Sequence, residues 1–286
     1  MTFNDKVLKK LDQKIMADYL DKSTGGSSVS DDGRYPAYCR LASENNFLFS
    51  HFRRNEIYNL ILEHMSKEQG SEYLEELTKS DNFGDLCSRL NEYLKNDTVG
   101  KPRVYDYEIG GRTVSVSPTT LRYIKVLDDL KKLFPMEDIK SVAEIGVGYG
   151  GQCRIIFADY KIDKYSLIDL PEALGLTKRF LKKLIDIGNV QFIDGTAMDG
   201  ENISDHDLVI SNYAYSELAR VIQQGYWDKV VSKASHGYFT WNLESERKLD
   251  GFTVDEFTNM LKSIGRDVRV LEERPLTAPG NCLIVW

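Results

Sequence analysis

The stretch SVAEIGVGYGGQCRIIF (Ser141–Phe157) decides the fold. An apolar run over Val142–Gly146 opens into glycines at 146, 148, 150 and 151, and a helical pattern begins near Gln152. Near-continuous apolar character over a short run suits a strand buried on both faces. Glycines at its end tolerate positive φ and let the backbone approach a ligand closely. A helix starting there offers free N–H groups and the positive end of its dipole. Gly146, Gly148 and Gly151 satisfy the G-x-G-x-x-G spacing, the dinucleotide-binding fingerprint, which is weak by itself.

Downstream of this loop, short apolar runs recur at Tyr165–Ile168, Val190–Ile193, Leu208–Ser211, Tyr238–Trp241, Val268–Leu271 and Cys282–Trp286. Helical patterns fill most gaps, at about 152–159, 172–187, 215–232 and 254–264. This alternation predicts an α/β fold with a Rossmann-like, seven-stranded, mostly parallel sheet. The last two runs have no helix between them, so they should form an antiparallel hairpin.

Upstream, the chain reads as mainly helical. Val7–Leu20 carries one apolar stripe, and Asp21–Pro36 is a loop by its Gly, Ser and Asp content. Helices are expected over about 55–69, stopped by Gly70, and over about 85–95. Val104–Val116, with Gly110-Gly111 at its centre, reads as a hairpin. Ser117 and Pro118 then open a helix as N-cap and first helical residue, and Pro135 ends it. The expected division is a helical cap over 1–116 that supplies the acceptor pocket and a cofactor-binding domain over 117–286.

The composition narrows the function. The 286 residues are 42% hydrophobic and 28% charged, enough apolar surface for a core, and the net charge of -7 is unlike the basic excess of a nucleic-acid binder. No apolar run approaches the roughly 18 residues a membrane helix needs. Cys39, Cys87, Cys153 and Cys282 are scattered without a CxxC pair, which fits reduced thiols in a cytoplasmic protein and no zinc site.

Acidic residues sharpen the glycine loop. Glu144 precedes it, and an acid there suits an amino-bearing or cationic ligand better than a pyrophosphate. Asp169 ends the second strand, where a carboxylate can hold both ribose hydroxyls of a nucleoside. Asp194 and Thr196 follow the third strand, where an adenine would lie, and Asn212 ends the fourth.

At these residues the chain resembles the class I S-adenosylmethionine-dependent methyltransferases. The resemblance rests on the Glu-x-Gly-x-Gly-x-Gly run from Glu144, on Asp169, and on the strand pattern with its terminal hairpin. The segments SPTTLRYIKVLDDL, EIGVGYGGQCRII, DLVISNYAYSEL and ERPLTAPGNCLIVW are similar to the sugar O-methyltransferases of bacterial surface-polysaccharide gene clusters. The resemblance implies S-adenosyl-L-methionine as cofactor, with Glu144, Gly146, Gly148 and Asp169 in contact with it. Gly150, Gly151, Asp194, Thr196 and Asn212 complete the expected cofactor set, and the acceptor is a small molecule or saccharide.

A sugar hydroxyl is a weak nucleophile, so a general base is expected. Glu217, just past the fourth strand, is the first choice, with Glu244 and His51 behind it. Of the other histidines, His206 and His236 precede strands, and His64 sits on an apolar helical face as a packing residue. Arg53, Arg54, Arg122, Tyr123, Tyr213 and Asn242 are candidate acceptor contacts, since arginine forks match carboxylates and phosphates. Asp194, Asp199 and Glu217 have no diagnostic metal spacing, so no metal is assigned. A homo-oligomer is left open. The competing readings are an NAD(P)-dependent oxidoreductase and a non-catalytic nucleotide-binding protein using the same loop.

Overall fold

Seven short strands assemble side by side, the central ones buried on both faces and the sixth in sequence, at one edge, largely exposed. They are β3 (Ser141–Ile145), β4 (Lys164–Asp169), β5 (Val190–Asp194), β6 (Leu208–Asn212), β7 (His236–Trp241), β8 (Arg269–Glu272) and β9 (Cys282–Val285). A separate hairpin, β1 (Tyr105–Ile109) with β2 (Arg112–Val116), precedes them. The computed structural model describes residue 10, residues 33–198, residue 203 and residues 205–286. Apart from residue 10, the expected helix Val7–Leu20 lies outside the described residues, as do most of the loop Asp21–Pro36 and Asp199.

The sheet order is β5-β4-β3-β6-β7-β9-β8. The first five strands in that order pair in parallel, while β9 runs antiparallel to both β7 and β8. This is the class I methyltransferase arrangement, and the expected terminal hairpin is present. It departs from the 3-2-1-4-5-6 order of dinucleotide-binding sheets in its reversed final pair. One face, through Val142, Tyr165, Leu167 and Ile210, packs into a core that continues into the N-terminal helices. The other, through Ala143, Ile145, Val209 and Phe239, packs on a cluster with Tyr226, Trp227, Phe257 and Trp286.

The helices on the sheet are α6 (Pro118–Leu133), α7 (Gly151–Asp159), α8 (Pro171–Leu181), α9 (Arg220–Lys229) and α11 (Val254–Ser263), with a short α10 (Glu244–Lys248) after β7. The Ser117 side chain accepts from the Thr120 N–H and Pro118 is the first helical residue, as the sequence pattern demands. The segment expected as one helix over 172–187 stops at Leu181, and that over 215–232 becomes a short turn, Tyr215–Glu217, followed by α9.

The N-terminal helices are α1 (Arg34–Glu44), α2 (Asn46–Ser50), α3 (Glu56–Leu62), α4 (Lys67–Thr78) and α5 (Phe83–Tyr93), and their buried residues join the core on one face of the sheet. The helix expected over 55–69 is two helices. Asn55 caps the first, and Ser66 with Gln69 forms a reciprocal capping box that starts the second. Gly70 therefore lies inside α4 rather than stopping a helix. A Cβ there would come within 2.2 Å of the Tyr107 hydroxyl, so glycine is what lets the β1–β2 hairpin close on α4.

Candidate active site

A cavity of about 1060 Å³ lies beyond the carboxyl ends of β3, β4, β5 and β6, where open α/β sheets place their ligands. Small-molecule sites span roughly 300–1,000 Å³, so this one is at the upper end of that range. Its floor is the sheet edge with Gly146, Gly148 and Asp169. Its roof comes from the N-terminal region, through Tyr35, Leu60, Leu62, His64 and Tyr73.

The loop after β3 is held by Asp169. The carboxylate Oδ2 accepts from the N–H groups of Val147 (2.7 Å) and Gly148 (3.3 Å), and Oδ1 accepts from Leu170 N–H (2.7 Å). Burial raises this carboxyl to about 6, against the opposing pull of those three N–H groups. Three of its roughly four acceptor positions are thus taken, which leaves one for a ligand hydroxyl. Gly148 adopts φ +57°, a backbone conformation that favours glycine, and presents no side chain where the loop backbone lines the cavity.

Several residues expected in cofactor contact take other places. Glu144 is buried in β3 and does not line the cavity; its Oε2 accepts from the Tyr165 hydroxyl at 2.8 Å. Burial raises the Glu144 carboxyl to about 8, opposed by that hydrogen bond, so it is a neutral core acid rather than a charge facing a ligand. Gly150 and Gly151 lie behind the loop, against Thr177 and Leu181 of α8 and against Tyr123 of α6, where they seat the start of α7. Asp194 turns back on its own loop, accepting from the Thr196 N–H (2.8 Å) and hydroxyl (2.7 Å); Thr196 lines the cavity and Asp194 does not. Asn212 lines it, and its Oδ1 is buried without a hydrogen-bond partner.

The candidate catalytic and acceptor residues also divide. Glu217 lines the cavity at the end of the Tyr215–Glu217 turn, with Oε1 accepting from Asn242 Nδ2 at 2.8 Å. Asn242 is in turn placed by Ser216, whose Oγ accepts from the Asn242 N–H at 3.2 Å and donates to the Tyr213 carbonyl at 2.7 Å. Glu244 is at the rim and pairs with Lys248 at 2.5 Å, which lowers its pKa. His51 lies outside the cavity, buried with its ring edge-on to Phe47.

Arg53 is fully buried and does not reach the cavity. It bonds Glu63 (2.5 Å), Asp97 (3.0 Å), the Asn96 carbonyl (3.0 Å) and Ser117 Oγ (3.1 Å), with its guanidinium 4.6 Å from the Tyr149 ring centre. Arg54 is exposed and bonds the Lys101 carbonyl. Tyr123 packs edge-on against Tyr149, away from the cavity. Arg122 and Tyr213 do line it. Tyr213 adopts φ +66°, uncommon for a bulky residue, and its hydroxyl donates to Glu273 Oε1.

His64, read from the sequence as a packing residue, is on the cavity wall. Burial, and after it the charge of Arg122, lowers its pKa, so a neutral imidazole faces the site. The signal that was present is the Ser66-x-x-Gln69 box. It ends the preceding helical reading just after His64 and moves that residue from a helix face to a connection over the site. Among the described residues, no group of three metal-ligating side chains occurs.

No family model and no curated protein matches the chain. Among solved structures it is similar to PigF with SAH, at 13% identity and TM-score 0.41, over 57% of this chain and 58% of that one. It is similar to the methyltransferase domain of bacterial CtHen1 at 16% identity and TM-score 0.43, over 57% and 96% of the two chains. A DhpI–SAH complex gives 18% identity and TM-score 0.41, over 58% and 85%. The match spans little more than half of the PigF chain. The fold assignment rests on this chain's own strand order and glycine loop, not on these distant likenesses.

Proposed function

We propose that the chain is an S-adenosylmethionine-dependent O-methyltransferase whose acceptor is a hydroxyl of a sugar or surface-polysaccharide precursor. The observation that carries the reading is the joint position of Asp169, the Gly148 backbone and the unpartnered Asn212 Oδ1 around one cavity at the switch point of the sheet. These features fit the cofactor. Asp169 has an acceptor position for a ribose hydroxyl, the loop has room for close backbone approach, and Asn212 offers a carbonyl to an amino group. When bound, the cofactor supplies an electrophilic methyl carbon on a sulfonium.

The rest of the work falls to this chain. The cap roof, from Tyr35, Leu60, Leu62 and Tyr73, excludes water and fixes the acceptor, and alignment can itself supply much of the rate. Glu217, braced by Asn242, takes the hydroxyl proton, and the neutral His64, which also lines the cavity, is the second candidate for that role. The oxidoreductase alternative loses ground to the reversed final strand pair.

Calorimetry of the full chain with S-adenosylmethionine, S-adenosylhomocysteine and NAD tests the cofactor, and mass detection of a methylated sugar tests the reaction. Saturable binding of the two sulfur compounds with none of NAD is expected; preferential NAD binding overturns the reading. Glu217→Gln should keep the affinity for S-adenosylhomocysteine and lower kcat by about 10²–10⁴-fold. A near-normal kcat transfers the proton to His64.

A further inference from the structure

Behind the main cavity lies a second one of about 460 Å³, and the two share a wall made by Tyr73, Arg122, Asn212 and Tyr213. The cations lining the smaller cavity are Lys79, Arg122, Lys125, Lys132 and Arg274. Four of them are paired: Lys79 with Glu75 and Glu76, Lys125 with Asp129, Lys132 with Asp128, and Arg274 with Glu272. Among the described residues, no acid lies in ion-pair range of Arg122. Its Nε is buried and has no hydrogen-bond partner.

One acid lining the smaller cavity is already engaged. Glu273 is buried; Oε1 accepts from the Tyr213 hydroxyl, and Oε2 accepts from the Thr277 N–H and hydroxyl at 2.7 Å each. The Arg122 guanidinium instead lies 5.4 Å from the Tyr123 ring centre. A guanidinium is charged at every accessible pH, and withdrawing it from water without a counter-ion is costly. By contrast Arg53, fully buried, has Glu63 and Asp97, and the buried Arg154 has Glu92 at 3.8 Å. Arg122 thus stands on the wall between two ligand-sized spaces with its charge unpaired by any described acid, a place from which its guanidinium can meet an anionic ligand.

We propose that Arg122 is an oxyanion subsite and that the acceptor is an acidic saccharide. The sugar ring occupies the main cavity, and its carboxylate or phosphate reaches the wall between Tyr73 and Tyr213, where the guanidinium fork meets it. The two sources share one chemistry, a pair of anionic oxygens that accept parallel N–H bonds. This inference rests on the methyltransferase reading for the identity of the ring-bearing cavity, but not for the anion contact itself.

The test uses the full chain and saturation-transfer NMR with D-glucuronate, D-glucose 1-phosphate and D-glucose, beside calorimetry with S-adenosylhomocysteine on the same samples. The parent should bind at least one acidic sugar saturably, more weakly as salt rises, and bind glucose far less. Arg122→Gln should weaken the acidic sugar roughly 10-fold or more, the scale of a charge-assisted pair, with S-adenosylhomocysteine affinity unchanged. Arg122→Lys keeps the charge and loses the fork, so it should recover only part of the affinity. The ratio of glucuronate to glucose 1-phosphate binding identifies the source. Equal binding of acidic and neutral sugars, no saturable acidic-sugar binding, or parent-like binding by a folded Arg122→Gln overturns the subsite. Loss of S-adenosylhomocysteine binding by the parent overturns the cofactor reading instead, so the two failures are separate.

Discussion

Two arginine neighbourhoods lie on the cap side of the sheet, and they are built on opposite terms. Around Arg53 the chain supplies two carboxylates, a hydroxyl, a carbonyl and an aromatic face, from four separate stretches between residue 63 and residue 149. Around Arg122 it supplies tyrosines and, among the described residues, no paired acid, and leaves Nε without a hydrogen-bond partner. The first arrangement is a strut that ties the cap to the start of α6 through Ser117. The second is a surface prepared for something else. Residue type does not separate them; what separates them is whether the fold itself completes the charge.

The largest expected effect tests that contrast directly. Arg53→Met should cost about 3–5 kcal/mol of unfolding free energy, because Glu63 and Asp97 would remain buried without their cation. Arg122→Met should stay within roughly 1 kcal/mol of the parent, since it removes a buried charge that has no acid to abandon. Denaturant unfolding of both variants decides the matter. Equal losses would mean that Arg122 is as much a strut as Arg53.

The same contrast holds between two carboxyls. Glu144 is enclosed in the core, while Asp169 reaches the cavity. Glu144 has its pKa raised to about 8 by burial. The sign follows from linkage: the unfolded chain releases this proton near the ordinary carboxyl range and the folded chain holds it until about 8. Glu144 therefore favours folding fully only at low pH, and that contribution is lost as pH rises toward 8. Glu144→Gln has no proton to release. Its stability relative to the parent should climb by about 1.4 kcal/mol per pH unit between those limits. A flat difference across that window would show that the carboxyl is ionised in the folded chain.

How much of this was legible depends on whether the governing interaction is local. All seven strands of the main sheet, the Ser117–Pro118 helix start and the hairpin at Gly110-Gly111 follow from apolar runs and turn residues that act within a few positions. The cavity's Asp169, Gly148 and Glu217 were legible because a strand's carboxyl end is fixed once the strand is. The fate of Arg53 was not, because its partners are 10 and 44 residues away and the neighbouring Arg54 looks the same in sequence. Glu144 was misjudged for a related reason: alternation along β3 sends its side chain into the sheet face beside Tyr165, which only the cross-strand register reveals.

Asp169 sharpens the comparison from the cavity side. Asp169→Asn should weaken S-adenosylhomocysteine by about 1.5–3 kcal/mol, the scale of a hydrogen bond to a charged group. In the parent, the affinity should fall as pH drops through about 6, where the carboxylate takes up its proton and stops accepting. Calorimetry across that range checks both, and a pH-independent dissociation constant would remove Asp169 from the ligand.

The smallest effect is expected one residue from the largest. Arg54 follows Arg53 in the same short turn, Phe52–Arg54, yet it is exposed and its Nε donates to the Lys101 carbonyl at 2.8 Å. It lines neither cavity. An exposed bond of this kind is exchanged readily for water, so Arg54→Ala should change unfolding free energy by no more than about 0.5 kcal/mol. It should also leave acidic-sugar binding at the parent value, because the guanidinium is not on the wall where Arg122 stands. Measured beside Arg53→Met, this variant separates two adjacent arginines by the surroundings that the fold gives each. A loss of sugar affinity in Arg54→Ala, with stability intact, would move the anion contact to the outer surface of the cap and away from the junction of the two cavities.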